Sequence, residues 1–166
     1  MSRAFVKEQD TGPAEPRHEL PLSPHPNYVT PRGLDLLRAR LEQAQRHLEN
    51  LQRDAFGAEV ERARLERELR WLAARVGGAI EIDPAGQPAE RIGFGAAVEL
   101  ADADSGAEHR YRIVGEDEAD PEHGLVSWVS PLARALSGAQ VGDIVTWPRP
   151  AGDLELEVLG FRYPAE

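Results

Sequence analysis

The chain has 166 residues, a formal net charge of −10, 41% hydrophobic residues and no cysteine. The composition is that of a soluble globular protein of one or two small domains, and the charge argues against a protein whose main task is gripping nucleic-acid phosphates. Disulfides and cysteine-based zinc sites are excluded, and no run of about 18 apolar residues could span a membrane. The N-terminus has no apolar signal region, so we expect a cytoplasmic protein.

The charge is unevenly distributed along the chain. Residues 30–77 carry ten arginines against eight acidic residues, whereas residues 91–166 carry six arginines against fourteen acidic residues. Two interpretations remain open: two ordinary solvated surfaces, or an adaptor that faces two differently charged surfaces of one partner.

Residues 1–29 are predicted to be a disordered or extended tail. Five prolines interrupt this segment, and it shows no apolar periodicity.

Residues 30–78 are predicted to form an antiparallel coiled-coil hairpin. Thr30 is a suitable N-cap with Pro31 in the first helical position. Apolar residues then recur at steps of three and four, first at Leu34, Leu37, Leu41, Ala44, Leu48 and Leu51, and again at Ala58, Leu65, Leu69, Leu72 and Val76. The short break between these runs indicates a tight reversal of the chain, and each arm would be roughly 30–36 Å long.

Residues 79–166 are predicted to form an α+β domain, because the apolar period changes from helical spacing to two. Strands are expected in AIEID, AAVELAD, HRYRIVG, GLVSWVS, DIVTWP and LELEVLGF, with a short helix at LARAL. The helix and the aromatic residues Trp128, Trp147, Phe161 and Tyr163 would cover the apolar face of the sheet.

Three segments, in order and spacing, give the chain its resemblance to a known family. They are RIVG at 112–115, DEAD at 117–120 and SWVSPLARALSGAQVGD at 127–143, preceded by the helix opening TPRGL. Together with the hairpin they resemble the bacterial GreA/GreB transcription factors. Ser137 departs from the pattern, because the family usually has an aliphatic residue there.

The resemblance implies an RNA polymerase-binding elongation regulator that is not itself an enzyme. An FKBP-like antiparallel-sheet domain would dock at the polymerase's secondary channel while the hairpin enters the channel, and DNA or RNA would be contacted only within that complex. The implied polymerase-binding residues are Val129, Ser130, Pro131, Asp117, Glu118 and Asp120. Ser130 also suits an N-cap of the LARAL helix, and both roles can hold together.

The predicted hairpin tip argues against strong stimulation of transcript cleavage. Cleavage-stimulating family members carry a tip loop whose two carboxylates help to hold a second Mg²⁺ in the polymerase active site, and that motif is missing here. The available acids are Asp54, Glu59 and Glu61, interleaved with arginines. The arms also look about two turns shorter than the family's, a shortfall of about 10–12 Å. We therefore expect no cofactor or metal of the chain's own, and cleavage stimulation that is weak or absent.

Two alternative functions remain open. The FKBP-like domain could be a peptidyl-prolyl isomerase, although the tryptophans Trp71, Trp128 and Trp147 are too scattered to line one pocket. The shortened hairpin is also similar to the family branch called regulator of nucleoside diphosphate kinase, which would make the chain a competitor of Gre factors. The five histidines show no metal-ligand spacing.

Overall fold

The computed structural model describes residues 19–52 and 56–165, in which two long helices lie beside a curled five-stranded sheet. Helix α1 spans Pro31–Asn50 and helix α2 spans Ala58–Gly77. The predicted cap is confirmed, because the Thr30 hydroxyl accepts a hydrogen bond from the Gly33 N–H at 2.9 Å. Each helix is about 30 Å long.

The two helices run antiparallel and pack along the apolar positions that the sequence indicates. His47, near the end of α1, lies 4.0 Å from Glu61, near the start of α2. The seam residues that the structure buries are Leu34, Leu37, Ala44, Ala58, Leu65 and Leu72. Gly57, with φ of 79°, supplies the left-handed turn that starts α2.

A two-stranded parallel sheet lies at the base of the helices. Strand β1 spans Asn27–Val29 and pairs with strand β2, Ala79–Glu81. The last three residues of the predicted tail are therefore a strand, with Val29 in the hydrophobic cluster beneath the helices. A strand of three residues is too short to show the alternation of apolar and polar residues that identifies longer strands in a sequence. Residues 1–18 of the predicted tail lie outside the described residues.

Five strands form the main sheet in the order β5-β4-β3-β7-β6. Their ranges are Ala97–Asp102 for β3, Glu108–Val114 for β4, Leu125–Ser127 for β5, Ile144–Trp147 for β6 and Leu154–Arg162 for β7. Helix α3, Pro131–Leu136, covers the apolar face. Leu100, Leu136 and Leu156 are fully buried there, and the predicted aromatic cover packs around them.

The expectation of a fully antiparallel sheet is wrong at one edge. Strand β5 runs parallel to β4, with Leu125 opposite Arg112. Residues 115–124 carry the chain back along β4 through a short 3-10 helix, Pro121–His123. Gly124 ends this crossover and has a left-handed backbone conformation, with φ of 74°. Its Cα lies so close to β4 that a Cβ would be 2.9 Å from the Arg110 carbonyl oxygen.

Candidate functional site

The segment between β5 and α3 forms a rigid corner, which we call the Ser-Pro corner and define as Val129, Ser130 and Pro131. The Ser130 hydroxyl accepts a hydrogen bond from the Ala133 N–H at 3.2 Å, and Pro131 occupies the first helical position. The predicted cap is thus confirmed. The Val129 N–H donates to the Ser127 hydroxyl oxygen at 3.3 Å. Pro131 is exposed and the other two are half-buried, so the corner is fixed by its own hydrogen bonds and remains accessible.

The acidic segment after β4 joins the sheet domain to the helices. The Thr30 hydroxyl donates to the Glu118 carboxylate at 2.6 Å, and the Arg32 guanidinium lies 3.4 Å from the same group. The Glu118 side chain is only 1% exposed. A Cβ on Gly33 would lie 2.7 Å from Glu118 Oε2. The carboxylate can approach the first turn of α1 this closely because residue 33 is a glycine.

A buried ion pair lies beside this contact. The Arg75 guanidinium, near the end of α2, donates from Nε to the Asp117 carboxylate at 2.7 Å, and its side chain is 5% exposed. Glu116 lies 3.8 Å from the same guanidinium and accepts a hydrogen bond from Ser23. The Asn27 amide donates to the Arg75 carbonyl oxygen at 2.7 Å.

We define Thr30, Gly33, Arg75, Asp117 and Glu118 as the interdomain clamp. Sequence reasoning placed Asp117 and Glu118 on a partner-binding surface, but here both carboxylates are engaged inside the molecule. Their direct contact with a partner would require the clamp to open. Arg75 was not singled out by the sequence. The sequence feature that could have identified it is its position beside the apolar seam of α2, one residue before Val76.

Asp120, the third acid assigned to partner binding, occupies a different environment. Its carboxylate lies 2.7 Å from His123 Nδ1, and the two side chains are 47% and 76% exposed. Of the three acids assigned to partner binding, Asp120 is therefore the one whose side chain reaches the surface.

The hairpin tip brings few carboxylates together. Glu61 accepts two hydrogen bonds from the Arg64 guanidinium, at 2.7 and 2.9 Å, and this interaction lowers the pKa of Glu61 against the opposing effect of burial. Glu59 is exposed, and Asp54 lies outside the described residues. Phe56 and Val60, which are largely exposed, give the described part of the tip an apolar character.

Neither a metal centre nor a membrane span is found in the parts of the chain that the structure describes. No group of three or more acidic or histidine side chains there is arranged to hold a metal ion. No helix in the same ranges is both long and apolar enough to cross a bilayer.

Comparison with known proteins shows extensive similarity to GreA factors. The sequence profile described as "Transcription elongation factor, GreA/GreB, C-term" matches residues 87–163. Transcription elongation factor GreA of Alkalilimnicola ehrlichii is 47% identical over 100 residues, which cover 60% of this chain and 63% of that factor. The chain thus spans slightly less than two thirds of that relative's length.

Two further relatives match over a larger part of their length. The GreA factor of Nitratiruptor sp. is 38% identical over 74% of this chain and 76% of its own. The GreA factor of Psychrobacter arcticus is 33% identical over 81% of this chain and 96% of its own.

Among solved structures, GreA factor homolog 1 of Thermus thermophilus matches 83% of this chain and 99% of its own. Its sequence identity is 27% and its TM-score is 0.41. The sequence matches, which extend from the C-terminal domain into the rest of the chain, are sufficient to assign the family: the chain belongs to the GreA/GreB family of transcription elongation factors.

Proposed function

We propose that this protein binds RNA polymerase core enzyme and regulates elongation, with its sheet domain docked at the secondary channel and its helical hairpin inserted. Membership of the GreA/GreB family carries the proposal. We also propose that the sheet domain has an FKBP-like fold and that the protein is cytoplasmic. The chain acts as a regulator and not as an enzyme, and any Mg²⁺ involved is that of the polymerase active site.

The Ser-Pro corner supports a docking role because it is both accessible and locally rigid. A loop that is already ordered loses little conformational entropy when it binds. The Ser130 cap and the fixed φ of Pro131 provide this order. Val129, Ser130 and Pro131 are therefore the proposed polymerase contacts, with the half-exposed Asp120 as a further candidate.

Binding is tested by pull-down with purified core polymerase at micromolar concentration and low salt. The double variant Ser130→Ala, Pro131→Gly is expected to bind more weakly while its circular dichroism spectrum is unchanged. Arg134→Gln, on the exposed face of α3, is the matched control and should bind like the parent. No binding by the parent would contradict the proposal, and unchanged binding by the double variant would leave Ser130 as a helix cap only.

The same preparation distinguishes the isomerase alternative. A proline-peptide isomerisation assay is expected to show no acceleration. Isomerase activity in a protein that fails to bind polymerase would favour the FKBP-like enzyme function.

We further propose that the protein occupies the channel with weak or absent stimulation of transcript cleavage. The Glu61 carboxylate is engaged by Arg64, and a carboxylate held by arginine is a poorer Mg²⁺ ligand. The helices are about 30 Å long, and Phe56 and Val60 at their end offer no metal ligand. The expected role is that of a modulator or of a competitor of other channel-binding factors.

Cleavage is measured as RNA shortening in a backtracked elongation complex with and without the protein. We expect little acceleration over the polymerase alone, and competition when a cleavage-stimulating GreA factor is added. Strong stimulation that is abolished by Asp54→Ala, Glu59→Ala or Glu61→Ala would overturn this part of the proposal and leave polymerase binding intact.

A further inference from the structure

The chain that precedes α1 contacts both the hairpin and the sheet domain, and we call residues 19–28 the N-terminal strap. Its first residues lie on α2. The Glu19 carboxylate accepts two hydrogen bonds from the Arg70 guanidinium, at 2.7 and 3.1 Å. The Pro21 carbonyl oxygen accepts one from the Trp71 indole N–H at 3.1 Å. One end of the strap is therefore attached to the hairpin.

The other end of the strap packs on the sheet domain. The Ser23 hydroxyl donates to the Glu116 carboxylate at 3.0 Å. The His25 and Tyr28 rings both meet the Trp128 ring edge to face, with centroids 5.9 and 4.9 Å away, which is a favourable arrangement for aromatic pairs. Trp128 directly precedes the Ser-Pro corner in the chain. The strap therefore reaches the residue from which the corner begins.

The main chain at Tyr28 is held closely by its neighbours. Tyr28 pairs with Ile80 in the two-stranded sheet. Strand β1 also passes so close to Gly115 that a Cβ there would lie 2.6 Å from the Tyr28 carbonyl oxygen. The Tyr28 ring itself lies 6.1 Å from the Phe94 ring. Because its backbone cannot shift freely, the Tyr28 ring is a fixed support for Trp128.

The aromatic end of the strap holds it more firmly than the acidic end. The Glu19 and Arg70 side chains are 61% and 54% exposed, and ion pairs at such exposure contribute little to stability. Tyr28 and Trp128 are half-buried, and a pair of aromatic rings adds a specific attraction to the apolar area that it buries. Loss of the Tyr28 ring should therefore matter much more than loss of the Glu19 charge.

We propose that the N-terminal strap positions the Ser-Pro corner for its partner, with Tyr28 acting through Trp128. Leu132, which is 2% exposed, anchors the corner on its helix side. On the strand side the anchor is Trp128, whose N–H donates to the Val114 carbonyl oxygen at 2.9 Å and whose ring rests on the strap. A corner that is held at both ends loses less conformational entropy when it binds. Its value for binding rests on the docking role proposed above for the corner.

Hydrogen exchange of the full chain, followed by mass spectrometry, tests the role of Tyr28 without polymerase. In Tyr28→Ala, the amides of residues 129–134 should exchange about three- to tenfold faster than in the parent. The amides of β3, in the centre of the sheet, should keep their rates, because they exchange only when the sheet opens. Tyr28→Phe retains the ring and should exchange like the parent at both places.

Binding to core polymerase provides the functional measurement. The dissociation constant of Tyr28→Ala should rise by about three- to tenfold, while that of Tyr28→Phe should equal the parent's. Glu19→Gln is the matched control on the same strap, because it removes the charge that pairs with Arg70 and leaves the aromatic contacts in place. It should match the parent in both exchange and binding.

The two measurements separate the possible failures. Unchanged exchange at residues 129–134 in Tyr28→Ala would overturn the positioning role. An equal acceleration in β3 would overturn it as well, since that result indicates a general loss of stability. Faster exchange at the corner together with unchanged polymerase affinity would confirm that the strap orders the corner and would contradict the docking role of the corner instead.

Discussion

Gly33 lies in the first turn of α1, where a glycine lowers helix stability by up to about 1 kcal/mol relative to alanine. The structure supplies the reason for it. The Glu118 carboxylate approaches the helix so closely that the Cβ of any other residue would lie 2.7 Å from Oε2 and 3.3 Å from the Thr30 hydroxyl. A residue that looks unfavourable within the helix is thus required by a contact with a residue far along the chain.

The first prediction concerns this contact. Gly33→Ala should lower the free energy of unfolding by about 1–3 kcal/mol, because the new methyl group overpacks a site whose carboxylate is held by Thr30. Urea unfolding followed by circular dichroism measures the change.

Gly77→Ala is the matched control, since a Cβ there meets no atom within 4 Å. It should leave stability unchanged or raise it by up to about 1 kcal/mol. If Gly33→Ala is as stable as Gly77→Ala, the Glu118 carboxylate is free to move and the clamp is looser than the structure indicates.

At the scale of elements, the stability of the helical hairpin comes mainly from the buried apolar seam, and its surface ion pairs contribute little. Leu72 is fully buried between the helices and the base strands, whereas Leu36, on the outer side of α1, is 43% exposed. The surface pair between Glu42 and Arg46, at 3.9 Å, is well exposed and is expected to contribute little.

The second prediction compares two identical substitutions in the hairpin. Leu72→Ala should lower the free energy of unfolding by about 2–5 kcal/mol, because it removes a buried side chain and leaves a cavity. Leu36→Ala should change it by less than about 1 kcal/mol. Equal effects in thermal or urea unfolding would mean that the seam does not carry the packing of the two helices.

At the scale of the whole molecule, the interdomain clamp fixes the direction of the hairpin relative to the sheet domain. Arg75 from α2 and Thr30 from the start of α1 both bind the segment that follows β4. Because these partners are buried, losing one would leave an unpaired charge in the interface. In the docking that we propose, such a fixed angle would let the hairpin enter the channel while the sheet domain docks outside.

The third prediction tests that rigidity. The chain has no cysteine, so spin labels can be attached at Glu59→Cys near the tip and at Asp153→Cys in the sheet domain. Double electron–electron resonance should give a narrow distance distribution, and Arg75→Met should broaden it. Arg70→Met, which removes an exposed pair with Glu19, should leave it narrow. A broad distribution in the labelled parent would show that the clamp does not fix the hairpin.

The positions of the helices and most strands were predictable because their signals are local. The spacing of leucines at three and four residues predicted the seam of the hairpin. The alternation of apolar and polar residues predicted β3, β4 and β7. The helix caps at Thr30 and Ser130 were visible as the dipeptides Thr-Pro and Ser-Pro. At the candidate site, local chemistry identified the Ser-Pro corner but not the environment of Asp117 and Glu118.

The sequence by itself therefore determined the three helices, strands β2 to β7, their apolar faces and the family, since each of these follows from residues a few positions apart. Only the tertiary structure decided that β1 pairs with β2, that β5 runs parallel to β4, and that Glu118 is buried against Thr30 and Gly33. The physical reason is sequence separation: Thr30 and Glu118 are 88 positions apart, and no local pattern specifies a contact that forms only when the folded chain brings its distant parts together.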